Sequence, residues 1–157
     1  MGTRSEIYVR RKWDKSYFEV VELWKHWDGY PEYILPYLRR FTGVAKECVK
    51  DQKHWLTYPR DIASPLIAFD YEQRKKECEN LEDEVKYLKP DIRPKSDIRD
   101  AAYAYIIDLP KDEDGMLKVS CYKLQSCGLS DDEIRELREG KLPSRHDLVE
   151  IVKISLR

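Results

Sequence analysis

The segment His26-Trp27-Asp28-Gly29-Tyr30-Pro31 brings an imidazole, a carboxylate, a glycine and two large aromatic rings into six consecutive residues. An imidazole oriented by a carboxylate is how a general base or a metal ligand is tuned. A further carboxylate, Asp108, closes the apolar run Ala101 to Leu109 and joins the pair if the fold brings that run's end to the turn. His26, Asp28 and Asp108 are therefore the candidate catalytic set, and hydrolysis, including nuclease chemistry, is the reaction they would serve. The competing reading is structural. Asp28 would accept backbone N–H bonds at a helix entrance, Gly29 would take a positive φ, and Tyr30 and Pro31 would pack to complete the turn. A metal site needs three or four convergent ligands, and only His26 and Asp28 are close in sequence, so neither a metal nor a cofactor is expected.

A second group is Arg10-Arg11-Lys12-Trp13, with Lys15 and the nearby Trp24-Lys25-His26-Trp27. Cations interleaved with aromatic rings suit a phosphate backbone and stacked bases. The same alternation also makes a strand, whose basic residues would then lie on its solvent face without any ligand. The 29 basic and 30 acidic residues of the 157 leave a net charge of −1, so there is no global field to draw the chain onto nucleic acid or an anionic surface. No glycine-rich phosphate loop, nucleophile elbow or zinc-protease helix occurs. Four scattered cysteines form no C-x-x-C pair and no disulfide framework. No amino-terminal segment reads as a signal peptide, and no run approaches the roughly 18 apolar residues of a membrane span. A cytoplasmic setting without membrane contact is expected.

The elements that must position these residues follow from periodicity. Glu6 to Trp13 alternates, and Tyr17 to Trp24 resumes after a short polar gap, which reads as a β-hairpin. Pro31 suits the first position of a helix carrying Tyr33, Ile34, Tyr37, Leu38, Phe41, Ala45 and Cys48 at helical spacing, although Pro36 falls inside it. Residues 50–60 read as a loop. Ser64-Pro65 reads as the start of a long helix with the stripe Ile67, Tyr71, Arg74, Cys78, Leu81, Val85 and Leu88, and the stretch Pro90 to Pro94 as a linker. Ala101 to Leu109 and Leu117 to Leu124 read as two paired strands around a turn. Ser130 to Glu133 has the capping-box spacing. Ser144 then reads as the cap of a last helix placing Leu148, Ile151, Val152 and Ser155 on one face.

Two blocks carry a resemblance. His26-x-Asp28-Gly29-Tyr30-Pro31 followed by Pro36, and Ala102 to Leu109 with the later Cys121-Tyr122, resemble a pattern in a group of small proteins of unknown function from archaea, bacteria and their phages. About half the chain takes part. The resemblance implies a shared core and a mobile-element origin, and it brings no activity, cofactor or catalytic residue with it.

The expected architecture is α+β: an antiparallel sheet of about four strands in two hairpins, helices packed on one face, and a helical carboxy-terminal appendage. Residues 1–128 would form the core domain and 129–157 the appendage. An interaction or accessory protein is the leading functional reading. A hydrolase or nuclease using His26 and Asp28 is the alternative, followed by a nucleic-acid-binding accessory protein. The long stripe predicts a homodimer, alongside an unspecified protein partner.

Overall fold

A computed structural model describes residues 3–13, 17–48, 58–76, 91–95, 100–110 and 116–155. Among them are β1 (Ser5–Lys12), β2 (Phe18–Lys25), α1 (Pro31–Cys48), α2 (Pro59–Lys76), β3 (Ile92–Pro94), β4 (Tyr103–Asp108), β5 (Met116–Lys123), α3 (Asp131–Arg138) and β6 (Asp147–Ser155). The class is α+β, but the sheet is not the expected four-stranded antiparallel one. Six strands lie in the order β3-β2-β1-β4-β5-β6, and β1 runs parallel to β4 while every other neighbour is antiparallel. Both expected hairpin pairings form, with Ser5 opposite Lys25 and Tyr103 opposite Lys123. The parallel contact arises because α1, α2 and β3 intervene between the two pairs, so β4 enters beside β1 in the same direction.

Two strands lay outside the sequence reading. β3 occupies the presumed linker at Pro90 to Pro94. It is three residues long and ends on a proline, which an edge strand tolerates because its outward N–H needs no partner. β6 replaces the expected last helix, so the carboxy-terminal segment is not a helical appendage but α3 followed by a strand of the main sheet. Val149, Ile151, Val152 and Ile154 are β-branched and favour extended backbone. α2 starts at Pro59 rather than at Ser64-Pro65, with Pro65 inside it. Of the long stripe, Ile67 packs against this chain's own core and Arg74 pairs with Asp91. Cys78, Leu81, Val85 and Leu88 lie outside the described residues.

Helices cover both faces of the sheet, not one. On the first face, Ile7, Val9, Leu23, Tyr105, Ile107, Val119 and Val152 meet Ile34, Leu38 and Phe41 of α1 and Ile62 and Leu66 of α2. On the second, Tyr8, Ala104, Ile106 and Tyr122 meet Ile134 and Leu137 of α3 and the preceding Leu129. α3 starts with the predicted capping box, in which the Ser130 hydroxyl accepts from Glu133 N–H and the Glu133 carboxylate accepts from Ser130 N–H. Gly140, at φ +86°, turns the chain away, and a Cβ there would lie 2.6 Å from the Phe18 ring.

Because α3 closes the second face, the polar residues that β1 points there cannot reach water. Arg10 is 4% exposed. Its guanidinium pairs with Asp108 and donates to the carbonyls of Leu137, at 3.1 Å, and Lys141, at 2.9 Å. Removing one partner of such a pair strands the others without solvent. Arg10→Ala should therefore lower the unfolding free energy by about 3 kcal/mol or more. Arg135→Ala, which removes an exposed pair with Asp132, should cost less than about 1 kcal/mol. Urea denaturation of both variants checks this, and equal midpoints would remove the role assigned to Arg10.

Candidate functional site

β2 delivers the histidine turn through its last three residues, which alternate across the sheet. Trp24 stands on the second face, opposite Glu6 and Arg93, and the Arg93 guanidinium lies 5.3 Å from its ring centroid. Lys25 turns to the first face, where it is buried and pairs with Asp91. Asp91 fastens the turn as well. Its carboxylate accepts from Trp27 N–H at 3.2 Å, its carbonyl accepts from His26 N–H at 3.3 Å, and Arg74 of α2 approaches it at 3.5 Å. Beside it, the buried Asp70 carboxylate accepts from the Tyr37 hydroxyl at 2.7 Å and from Ile92 N–H at 2.9 Å. Burial and the neighbouring Asp70 raise the Tyr37 hydroxyl above its ordinary value, so it stays a proton donor. Lys25, Asp70 and Asp91 therefore tie α1, α2, β3 and the turn together.

His26 packs beside two indoles, with ring centroids 5.3 Å from Trp24 and 4.5 Å from Trp27. Its Nδ1 accepts from Arg4 Nε at 3.4 Å, and Arg4 is held in turn by Asp100 at 2.8 Å. Burial, and then the Arg4 charge, lower the imidazole below its ordinary 6.5, so it is neutral at pH 7. Asp28 is exposed, and among the described residues no hydrogen bond joins it to His26. Asp108 pairs with Arg10 at the other end of β1, five residues along from Ser5, or about 17 Å away at strand spacing. The structure thus keeps His26 and Asp28 in one turn without coupling them and leaves Asp108 apart from both. Among the described residues, no group of three or more His, Cys, Asp or Glu side chains is placed to hold a metal ion.

The turn itself works differently from the sequence reading. The positive φ belongs to Asp28, at 51°, and not to Gly29. Gly29 is required by close approach. Its N–H donates to the Thr3 carbonyl at 2.7 Å, its carbonyl accepts from the Tyr105 hydroxyl at 2.6 Å, and a Cβ would fall 2.7 Å from the Thr3 oxygen. Tyr30, rather than Asp28, starts the helix, its carbonyl accepting from the N–H groups of Tyr33 and Ile34. The large apolar side chains left facing solvent are aromatic: Trp27 at 44% exposure, Tyr30 at 39% and Tyr33, which the helical spacing placed on the inner face, at 56%. Tyr30 stacks edge-on against Tyr103 at 5.8 Å, and Asp28 and Glu32 are exposed beside them.

The basic group divides. Arg10 is spent inside the fold, so it does not lie on a solvent face as expected. Arg11 covers the Trp13 ring at 4.8 Å, and Trp13 donates to Glu19 at 2.9 Å and stacks on Tyr58 at 5.3 Å. Lys12 closes β1 opposite Phe18. A second imidazole, His146, is engaged at both ring nitrogens. Its Nε2 lies 2.6 Å from the Glu133 carboxylate, and its Nδ1 accepts from Gln125 N–H at 2.9 Å. With both ring nitrogens engaged, His146 clamps α3 to the β5 end. Burial pushes the Glu133 carboxyl up, but Ser130 and His146 outweigh it and leave the group below 4.5. Cys121 is buried, and burial pushes its thiol up to about 12, which makes it a poor nucleophile.

Of Lys25, Asp70 and Asp91, the sequence reading named only Lys25, as a member of the basic and aromatic group and not as the buried partner of Asp91 that it is. For two of them a signal exists. Val21, Leu23 and Lys25 share one strand face, and Ile62, Leu66 and Asp70 share one helical stripe, so a charge continues an apolar series in each. Asp91 was hidden in what read as a linker. Among the described residues, no helix is long and apolar enough to cross a membrane. Comparison with family models, with curated proteins and with solved structures found no match, so the site is read from its geometry.

Gly29→Ala should destabilise the fold by about 2 kcal/mol through backbone crowding. Asp28→Gly should leave stability unchanged or raise it by up to about 1 kcal/mol by relieving the left-handed backbone. Paired thermal melts decide, and a Gly29→Ala melt equal to wild type would sink the close-approach account. The His26 imidazole binds its proton less readily in the folded chain than in the unfolded one. Its contribution to stability is therefore complete above 6.5 and is lost as the pH falls through its lowered value. Urea midpoints of His26→Gln should vary less across that window than those of wild type. Parallel curves would show that His26 titrates normally.

Proposed function

We propose that this chain acts by binding a protein partner through the aromatic surface of Trp27, Tyr30 and Tyr33, and not by catalysis. The observation that carries this reading is the contrast within the turn. His26 is neutral, packed beside two indoles and not hydrogen-bonded to a carboxylate, while three large rings within seven residues remain open to solvent. Tyr and Trp are enriched where proteins meet, since each supplies a large rigid contact area with a polar tip. The exposed carboxylates Asp28 and Glu32 disfavour a phosphate backbone at this surface and suit a partner presenting cations. The free thiols Cys121 and Cys127 fit a cytoplasmic setting. The resemblance of the motif to small archaeal and phage proteins supports an accessory role in a mobile element.

A second reading has its own observation at the other end of the sheet. Trp13 and Tyr58 stack, with Arg11 over the first ring and Arg60 over the second, at 4.5 Å, a pattern suited to single-stranded nucleic acid. Glu19 accepts from Trp13 and pairs with Arg60 at 3.6 Å, which lowers the patch's net charge.

A photo-crosslinking amino acid at Tyr33 should capture one predominant protein in the chain's own cells, and the same probe at the exposed Ser64 should not. Equal capture at both positions would refute the aromatic surface. Fluorescence anisotropy with single-stranded oligonucleotides addresses the second reading. Salt-sensitive binding that Trp13→Ala weakens about tenfold would favour it, at the stacking energies usual for one base. Turnover of ester or phosphodiester substrates abolished by His26→Ala would overturn the binding reading altogether.

A further inference from the structure

The second face of the sheet carries one row of charge that the fold leaves unbalanced. Strand register sets Arg10 beside Asp108, Asp108 beside Lys118, and Lys118 beside Lys153. Residues directly opposite across a strand pair share a face, so all four lie on the one that Arg10 occupies. Asp108 is taken by Arg10. Lys118 and Lys153 are left facing each other, with Cβ atoms about 5 Å apart, and like charges so placed destabilise a sheet. Among the described residues, no carboxylate reaches ion-pair distance of either ammonium group. A lysine on an edge strand commonly guards it against strand addition. Lys118 lies on the strand inside that edge, where it guards nothing. Exposed aliphatic side chains surround the pair on the same face. Ile151, two residues from Lys153, is 46% exposed, and Met116, two residues from Lys118, is 49% exposed. The bulge at Val149 returns Leu148, 51% exposed, to this face opposite Tyr122.

We propose that this face binds an acidic segment of a partner protein, with a carboxylate between Lys118 and Lys153 and apolar side chains on Met116, Leu148 and Ile151. A carboxylate between two opposed ammonium groups removes a repulsion that the free chain retains, so that free energy is gained only on binding. Among the described residues of β5 and β6, no aromatic ring is exposed for a base to stack on, which favours a peptide over nucleic acid. The surface lies on the far side of β1 and β4 from the histidine turn and does not depend on the aromatic surface there. The two surfaces also call for opposite chemistry, acids here and cations beside Asp28 and Glu32.

Random dodecapeptides displayed on phage and selected on the full chain should yield a class rich in Asp and Glu beside Leu, Ile or Met. Lys153→Glu should weaken binding of synthetic peptides of that class more than about tenfold, and Ile151→Ser about fivefold. The Lys153→Glu change should also raise the melting temperature by about 1 to 3 °C, because the row then alternates in charge. Binding lost while stability rises excludes misfolding as the cause. A Lys153→Glu chain that melts at or below the wild type would overturn the opposed-charge premise and the proposal with it. Selection that yields no acidic class, or acidic peptides that bind either variant as tightly as wild type, would overturn it equally. Salt-sensitive binding of a single-stranded oligonucleotide that Lys153→Glu abolishes would give this face to nucleic acid instead.

Discussion

β1 lies at the middle of the sheet, hydrogen-bonded on both sides and covered on both faces, yet it carries Glu6, Tyr8 and Arg10 on a single face. Taking a charge out of water is costly unless a partner and hydrogen bonds replace the solvent. Each polar group on this strand therefore dictates what must stand against it. Glu6 meets Lys95 at 3.1 Å, the Tyr8 hydroxyl, and Leu129 N–H at 3.1 Å. Arg10 meets Asp108 from the parallel neighbour and two carbonyls at the end of α3. The placement of β4, the approach to α3 and the entry from β3 all answer one strand's demand. A sheet covered on one face would have left these groups in water and required none of it.

The same rule governs the first face and explains why the histidine turn is rigid. Lys25 ends β2 pointing inward, and Asp91 neutralises it while also accepting the amide of Trp27. One carboxylate thus fixes the strand end, the turn and the start of β3. Asp70 does the same for α1 and β3 through Tyr37 and Ile92. Held in this way, the turn presents Trp27 and Tyr30 in set positions, which would limit the entropy lost on binding the proposed partner.

Much of the first half was legible, because each of its elements satisfies only one periodicity. β1 and β2 alternate, and α1 keeps Ile34, Leu38, Phe41 and Ala45 on one face despite Pro36. The carboxy-terminal strand was ambiguous. Leu148, Ile151, Val152 and Ser155 fit a helical face, while Val152 and Ile154 fit an alternating one, and only the density of β-branched residues separates the two. Nothing local predicted the parallel β1–β4 contact, which depends on where the intervening helices lie. The site divides along the same line. The motif marked a real turn, but its glycine is needed for contact with Thr3, a residue 26 positions earlier. No sequence window contains both ends of that constraint.

A histidine near carboxylates looks like a reagent in sequence because proximity is all that sequence offers. Chemistry further requires a free ring nitrogen, a partner that moves its proton and space for a substrate. His146 has both nitrogens occupied, one by Gln125 N–H and one by Glu133. His26 has Nδ1 taken by Arg4 and packs beside two indoles, and among the described residues no carboxylate is hydrogen-bonded to it to move a proton. In each case the imidazole joins elements, clamping α3 in one and linking the end of β2 to the start of β1 in the other. The buried titratable groups of this chain answer one another across the sheet, and the large apolar groups left facing solvent are mostly Trp, Tyr and branched aliphatic side chains. Such a surface gains free energy by excluding water from a complementary surface, and its polar tips set the register of that contact. The interior electrostatics hold the shape, and on the proposed reading the exposed rings are where binding energy would be gained.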